Sequence, residues 1–128
     1  GIWDPADRPK RRQSEVQRLV SRLLVRESAG AFEIDVDVAG TNRVPLVVEL
    51  GFRRGGELTG VTPLAGMPDT FLLREGTAEY RLGGDTIRFG PGRVEHTWTE
   101  LRGALPKLDA LSVYLTGFTP YRTTLRIT

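Results

Sequence analysis

Cysteine is absent from this chain of 128 residues, and histidine occurs only once, at position 96. The absence of cysteine excludes disulfides, thiolate nucleophiles and every zinc or iron–sulfur centre built on thiolates. A single imidazole excludes any site that needs two. Apolar runs extend over only a few residues, too short for a membrane-spanning helix. We therefore expect no cofactor, no bound metal and no membrane partner.

Net charge is also small, because 18 basic residues face 16 acidic ones. Residues 1–12 contain four of the basic and two of the acidic residues, together with two prolines, and without them the counts are 14 and 14. A neutral body is poor support for a nucleic-acid surface, so none is expected. We predict a basic, proline-containing arm or linker at 1–12 and a single domain at 13–128. The start without methionine suggests a domain excised from a longer protein.

What the chain does contain is a series of short strand patterns separated by turn signals. In residues 31–38, Phe32, Ile34, Val36 and Val38 alternate with acidic residues, which predicts a strand with one buried face. The pattern recurs over 44–52, where Pro45 indicates an edge position or an early unpaired residue, and over 121–128. Residues 111–118 read as a buried strand. Gly83-Gly84 separates two further strands and predicts a tight hairpin.

Two stretches are harder to interpret. Residues 14–27 fit helical and strand spacing almost equally well, and strand is favoured only because the downstream chain reads as β. Residues 93–101 are predicted to form a strand. The total is nine or ten short strands with no clear helix, which predicts an all-β fold, an antiparallel β-sandwich or jelly roll.

The predicted strand at 93–101 contains the most suggestive constellation. Its two-residue spacing places His96, Trp98 and Glu100 on one face, where they could stack on a sugar ring and bond its hydroxyls. Arg102 and Tyr114 complete the candidate ligand-binding set, with Arg102 and His96 pairing an acidic or sulfated group. The alternative is an ordinary half-buried sheet face with Trp98 in the core.

Charged residues elsewhere favour structural interpretations. Glu33, Asp35 and Asp37 are predicted to form a solvated outer face paired with arginines on a neighbouring strand, because carboxylates about 7 Å apart along a strand suit a single ion poorly. Loop arginines could converge on an acidic polysaccharide, although arginine outnumbers lysine 16 to 2 throughout the chain. The loop arginines considered are Arg53, Arg54, Arg74, Arg93 and Arg102. No serine lies in a Gly-x-Ser-x-Gly elbow, and no phosphate-binding loop is present, so we predict no catalytic residue and no enzyme activity.

Residues 71–96 resemble the middle of a cupin domain, with a glycine-marked hairpin, Gly90-Pro91-Gly92 and then His96. Cupin metal centres use two or three histidines and a glutamate, so this resemblance implies a jelly roll without the metal. It leads to an alternative function, a small-molecule binding protein with an interior pocket. The pocket would be lined by Phe71, Tyr80, Phe89 and His96.

Residues 102–127 are similar to the C-terminal β-sandwich modules of polysaccharide-processing enzymes such as heparinase-like lyases. In those enzymes catalysis lies in a neighbouring domain, so the resemblance transfers no catalytic residue. It implies a non-catalytic module of a larger bacterial enzyme that binds carbohydrate or supports a catalytic domain in the parent chain. A third alternative is a purely structural or interaction domain that uses an exposed strand edge, for which a large exposed apolar patch would be the sign.

Overall fold

Ten strands in two packed sheets make up the part of the chain that the computed structural model describes, residues 19–97 and 109–128. The strands are β1 (Leu19–Ser28), β2 (Ala31–Gly40), β3 (Pro45–Phe52), β4 (Glu57–Thr59), β5 (Thr62–Pro63), β6 (Thr70–Leu72), β7 (Ala78–Leu82), β8 (Asp85–Gly90), β9 (Leu111–Phe118) and β10 (Tyr121–Ile127). These residues contain no helix. The predicted all-β sandwich is confirmed. The predicted arm at 1–12 lies outside the described residues.

The strands divide into a six-stranded sheet, in the order β1-β2-β10-β8-β7-β4, and a four-stranded sheet, in the order β3-β9-β6-β5. All pairings between strands are antiparallel except that of β6 with β9. The two sheets are thus mostly antiparallel, in agreement with the predicted sandwich. Pro45 begins β3, which is an edge strand among the described strands, one of the two positions that this proline indicated.

The hydrophobic core lies between the two sheets and is rich in aromatic rings. Phe52 from β3 packs against Tyr80 and Phe89 of the other sheet, with ring centroids 5.0 Å and 4.8 Å apart. Val113 and Leu115 of β9 are fully buried beside them. Residues 112–117 of β9, which pairs with β3 and β6, are buried on both faces of the strand.

Local turn chemistry forms the hairpins. Leu82 of β7 pairs with Asp85 of β8, and Gly83 adopts a positive φ of 64° in the two-residue turn between them, as predicted from the glycine pair. Residues 19–28 form the strand β1, joined to β2 by a turn in which Gly30 has a φ of 81°. The strand interpretation of this ambiguous stretch is thus confirmed over its described part.

The predicted strand at 93–101 is wrong over the part that is described. Residues 93–97 contain a single bridge, from Val94 to Thr116, and no strand. The chain continues the path of β6 along β9, since Arg93 N donates to Leu73 O and Thr116 N donates to Arg93 O. It then turns away at Glu95 and His96. The alternation of side chains predicted a continuous strand here, but the backbone of residues 93–97 does not form one.

Candidate functional site

The backbone of His96 is held against β9 by one hydroxyl group. Thr116 Oγ1 accepts hydrogen bonds from Glu95 N at 3.0 Å and His96 N at 3.1 Å, and donates to His96 O at 2.7 Å. Thr116 is only 2% exposed, so these bonds form where water does not compete for them. We refer to this arrangement as the Thr116 clamp.

The ring of His96 is also used within the fold. Its Nε2 donates to the carbonyl oxygen of Leu46 in β3, 3.0 Å away, and the ring meets that of Phe118 edge-on with centroids 5.1 Å apart. The residue is 8% exposed. The His96 ring therefore covers the Leu46 carbonyl of the edge strand β3 and is not accessible to a ligand from solvent.

Tyr114, the other described member of the predicted carbohydrate set, is 4% exposed in the middle of β9. It pairs across the sheet with Glu49 of β3. Neither His96 nor Tyr114 therefore offers a ring face on the surface. The remaining members, Trp98, Glu100 and Arg102, lie outside the described residues. The two-residue spacing that placed His96 beside Trp98 and Glu100 assumed a strand, and no strand passes through His96.

Three of the four residues predicted to line an interior pocket, Phe71, Tyr80 and Phe89, lie together in the hydrophobic core. Phe52 of the opposite sheet packs on the rings of Tyr80 and Phe89. The hydroxyl of Tyr80 donates to the carbonyl of Arg53. His96 makes its contacts elsewhere, at Leu46 and Thr116. These groups form part of the packed fold.

The acidic residues of β2 form the solvated ladder predicted from the sequence. Asp37 pairs with Arg122 at 3.0 Å, and Glu33 pairs with Arg126 and Arg26, each at 3.2 Å. Asp35 also accepts from Arg26 and from the Thr124 hydroxyl. The ladder borders a shallow groove of about 410 Å³ on the outer face of β1, β2 and β10. Each carboxylate thus has a partner on a neighbouring strand, as expected for a sheet surface.

Two of the loop arginines considered, Arg54 and Arg93, are bound to acidic residues at separate places. Arg54 bridges Asp69 at 2.8 Å and Asp109 at 2.8 Å, and these hydrogen bonds, that to Asp109 first, raise its pKa. Arg93 lies over the ring of Tyr121 and pairs with Glu95 at 2.7 Å. Arginines bound to nearby acids in different loops do not form a shared surface for an acidic polymer.

A surface that sequence reasoning missed lies on β1. All ten residues of this strand are exposed, and five of them are large and apolar. We call these five the β1 apolar surface: Leu19 at 43%, Val20 at 59%, Leu23 at 70%, Leu24 at 55% and Val25 at 59% exposed. Phe32 of the neighbouring β2 is 48% exposed. The sequence contained a signal for this surface. Apolar residues occur at both odd and even positions of 19–25, so a strand formed there has apolar side chains on both faces.

The outer edge of β1 is also unlike the other sheet edges. Within the described chain β1 pairs only with β2, leaving one row of main-chain groups without a neighbouring strand over ten residues. The opposite edge, β4, has three residues, and β5 has two, one of them Pro63. The edge strand β3 begins with Pro45, and His96 bonds one of its carbonyls. Short length, proline and covering side chains are among the usual protections of an edge, and β1 shows none of these three within the described residues, although it carries the charges of Arg22 and Arg26.

Comparison with known proteins adds no family. No family model matches this chain, and no curated protein or solved structure matches it. Among residues 19–97 and 109–128, no three histidine or acidic side chains come together as a metal site. The same residues contain no helix long and apolar enough to cross a membrane.

Proposed function

We propose that this chain is a non-catalytic β-sandwich interaction domain that binds an extended strand of another polypeptide along the free edge of β1. The observation that supports this most directly is the β1 apolar surface, exposed on both faces of a ten-residue edge strand. Adding a strand to such an edge satisfies its main-chain donors and acceptors, while side chains on both faces provide specificity.

The size of the exposed surface supports this function. Fully burying a valine or leucine side chain contributes about 1.5–3 kcal/mol. The members of the β1 apolar surface are between 43% and 70% exposed, so covering all five contributes about 4–9 kcal/mol. This is comparable with the ~4–15 kcal/mol that association costs in lost freedom of motion. Main-chain hydrogen bonds are then needed for net binding, as strand addition provides.

His96 and Tyr114, which the sequence analysis placed in a carbohydrate site, have structural roles, and this also favours an interaction domain. His96 is bonded to Leu46 and clamped by Thr116, and Tyr114 is buried in β9. The only imidazole of the chain thus makes a structural hydrogen bond within the domain. An interaction role needs no reactive side chain, only an accessible edge.

Selection from a library of ten-residue peptides with alternating apolar and polar side chains tests this function. Peptides enriched on the wild-type domain are titrated by fluorescence anisotropy at submicromolar protein concentration. We expect Leu23→Lys to weaken their binding at least tenfold, because a charged side chain on an edge strand opposes pairing. The control is Ile87→Lys, which places the same change on an exposed apolar residue of β8. Peptides that bind Leu23→Lys as well as wild type, or no enrichment at all, would refute the proposal.

Carbohydrate binding, within an accessory module of a larger bacterial polysaccharide-active enzyme, is our second proposal. It rests on Trp98, which directly follows the exposed Thr97 in the sequence. An indole is suited to stacking on a sugar ring, with Glu100 and Arg102 as hydrogen-bonding groups. With His96 and Tyr114 buried, this proposal depends on Trp98, Glu100 and Arg102 alone. Its test is the Trp98→Ala experiment given in the Discussion.

A further inference from the structure

We infer that the strand bound at this edge is β1 of a second copy of the chain, an inference that rests on the strand-binding function proposed above. The two β1 strands pair in antiparallel fashion about a two-fold axis perpendicular to the sheet. Such a pairing is self-complementary, as a closed dimer requires. It joins the two six-stranded sheets into one continuous sheet of twelve strands.

The two-fold axis restricts the register of this pairing. An axis perpendicular to an antiparallel pair passes between a residue and its own counterpart. Over Leu19–Ser28, only two registers pair as many as nine residues of each strand, one centred on Leu23 and one on Leu24. Every other centre shortens the ladder and leaves more main-chain groups unpaired.

The charges of β1 distinguish these two registers. Centring on Leu24 places Arg22 directly opposite Arg26 of the second copy, and symmetry creates that pair twice. Like charges directly opposite each other destabilise a sheet. Centring on Leu23 places Arg22 opposite Leu24 and Arg26 opposite Val20, so no like charges face each other directly. The register centred on Leu23 is therefore selected.

The same register brings together the most exposed part of the strand. Leu23, which is 70% exposed and the most exposed of the large apolar residues, meets its own counterpart at the axis. A two-fold axis perpendicular to the sheet keeps each face on the same side, so Leu23 and Val25 of both copies form one apolar strip. A nine-residue ladder is ~30 Å long. It buries on the order of 1,000 Å² in total, near the lower limit for specific interfaces, so we expect a weak and reversible dimer.

Sedimentation equilibrium of the wild-type domain over a concentration series tests the dimer. We expect a reversible monomer–dimer equilibrium, with Leu23→Lys weakening it at least tenfold because two lysines then meet at the axis. Ile87→Lys is the matched control and leaves the equilibrium unchanged, because Ile87 lies in β8, away from the paired edge. Equal weakening by both variants would overturn the inference.

A pair of substitutions at Val20 tests the register. In the register centred on Leu23, Val20→Glu faces Arg26 of the second copy and forms two symmetry-related ion pairs, whereas Val20→Arg forms two like-charge pairs. We expect the dissociation constant of Val20→Arg to exceed that of Val20→Glu by about fivefold or more, and the difference to shrink in high salt. In the register centred on Leu24, Val20 faces Ser28 and is only diagonal to Arg26, so the two variants would differ much less. Equal constants would thus refute the register.

Because the chain has no cysteine, single cysteine variants give a second and independent measure. Leu23→Cys places two thiols opposite each other at the axis, where Cβ atoms are about 4.5–5.5 Å apart and near disulfide distance. Leu24→Cys places its thiol opposite Arg22 instead. We expect oxidation to cross-link Leu23→Cys faster than Leu24→Cys, and the reverse order would overturn the register.

The outcomes separate this inference from the proposed function. A domain that stays monomeric at millimolar concentration but binds selected peptides in a Leu23-dependent way refutes the second copy and retains the strand-binding function. A dimer that is unaffected by Leu23→Lys, in a domain that selects no peptide, refutes both. Dimerisation sensitive to Leu23 and to the charge at Val20, together with Leu23-dependent binding of selected peptides, supports both.

Discussion

The hydroxyl of Thr116 is the group that fixes Glu95 and His96 against β9, and its removal tests whether His96 is a structural residue. Thr116→Val keeps the shape of the side chain but loses every hydrogen bond of the clamp. His96 N and His96 O lose bonds of 3.1 Å and 2.7 Å. Glu95 N loses a bond of 3.0 Å but keeps the Thr116 carbonyl, 3.2 Å away.

The expected loss of stability follows from the two bonds at His96. A hydrogen bond within a protein contributes about 0.5–1.5 kcal/mol net, so two bonds correspond to about 1–3 kcal/mol in the free energy of unfolding. The bond lost by Glu95 N adds little because a second acceptor remains. For a small domain, where the dependence on urea is ~1–3 kcal/mol per molar, this lowers the unfolding midpoint by roughly 1 M.

Urea unfolding followed by tryptophan fluorescence measures this loss, and amide hydrogen exchange locates it. Thr116→Ser is the matched control, since it keeps the hydroxyl and loses one methyl group, at a cost of about 0.8 kcal/mol. We expect faster exchange at the amides of Glu95 and His96 in Thr116→Val, but protection retained there in Thr116→Ser. The comparison separates loss of the clamp from loss of packing.

An unchanged midpoint in Thr116→Val, together with unchanged exchange at His96, would show that the hydroxyl does not hold this segment. The structural role of His96 would then rest on its ring contacts with Leu46 and Phe118 alone.

Three further predictions concern other parts of the chain. Gly117→Ala should lower the free energy of unfolding by about 1–3 kcal/mol in urea titrations, because the added Cβ would lie 2.4 Å from the Tyr121 ring. Gly84→Ala is the control and should change the free energy of unfolding little, because its Cβ would meet nothing within 4 Å. Burial raises the pKa of Tyr121 above its ordinary value of 10.0, with the charge of Glu95 adding to the effect and that of Arg93 opposing it. Tyr121 then ionises at a lower pH in the unfolded chain than in the folded one, so the free energy of unfolding should fall as pH rises above about 10. The fall should be less steep in Tyr121→Phe. Urea midpoints of wild type and Tyr121→Phe that change in parallel from pH 7 to 11.5 would contradict this. On a glycan array, Trp98→Ala should abolish any binding that the wild-type domain shows, and binding that survives unchanged would refute the carbohydrate site.

Most of the strands could be predicted from the sequence because their signals are local. The alternation around Ile34 and Val36 marks a strand whichever partner it finds, and Gly83-Gly84 forms a tight turn because glycine accepts a positive φ. The acidic residues of β2 were assigned correctly to a solvated ladder for the same reason, since the period of a strand fixes which side chains share a face.

The path of residues 93–97 could not be predicted, because a side chain 20 residues further along the sequence determines it. Local alternation favoured a continuous strand, but the Thr116 clamp and the bond from His96 to Leu46 hold the backbone in another course. A prediction that grouped His96 with Trp98 and Glu100 depended on the local pattern alone. Tertiary hydrogen bonds outweigh a propensity of a few tenths of a kcal/mol per residue.

The sequence by itself determined that this protein is a cysteine-free β-sandwich with one histidine, because composition and strand periods are properties of the chain. Only the tertiary structure decided which apolar residues are buried. Val36 and Leu23 are paired neighbours in adjacent strands, yet Val36 is 6% exposed and Leu23 is 70% exposed. The physical reason is the order of the strands, since β1 is the edge of its sheet and the four-stranded sheet does not cover it.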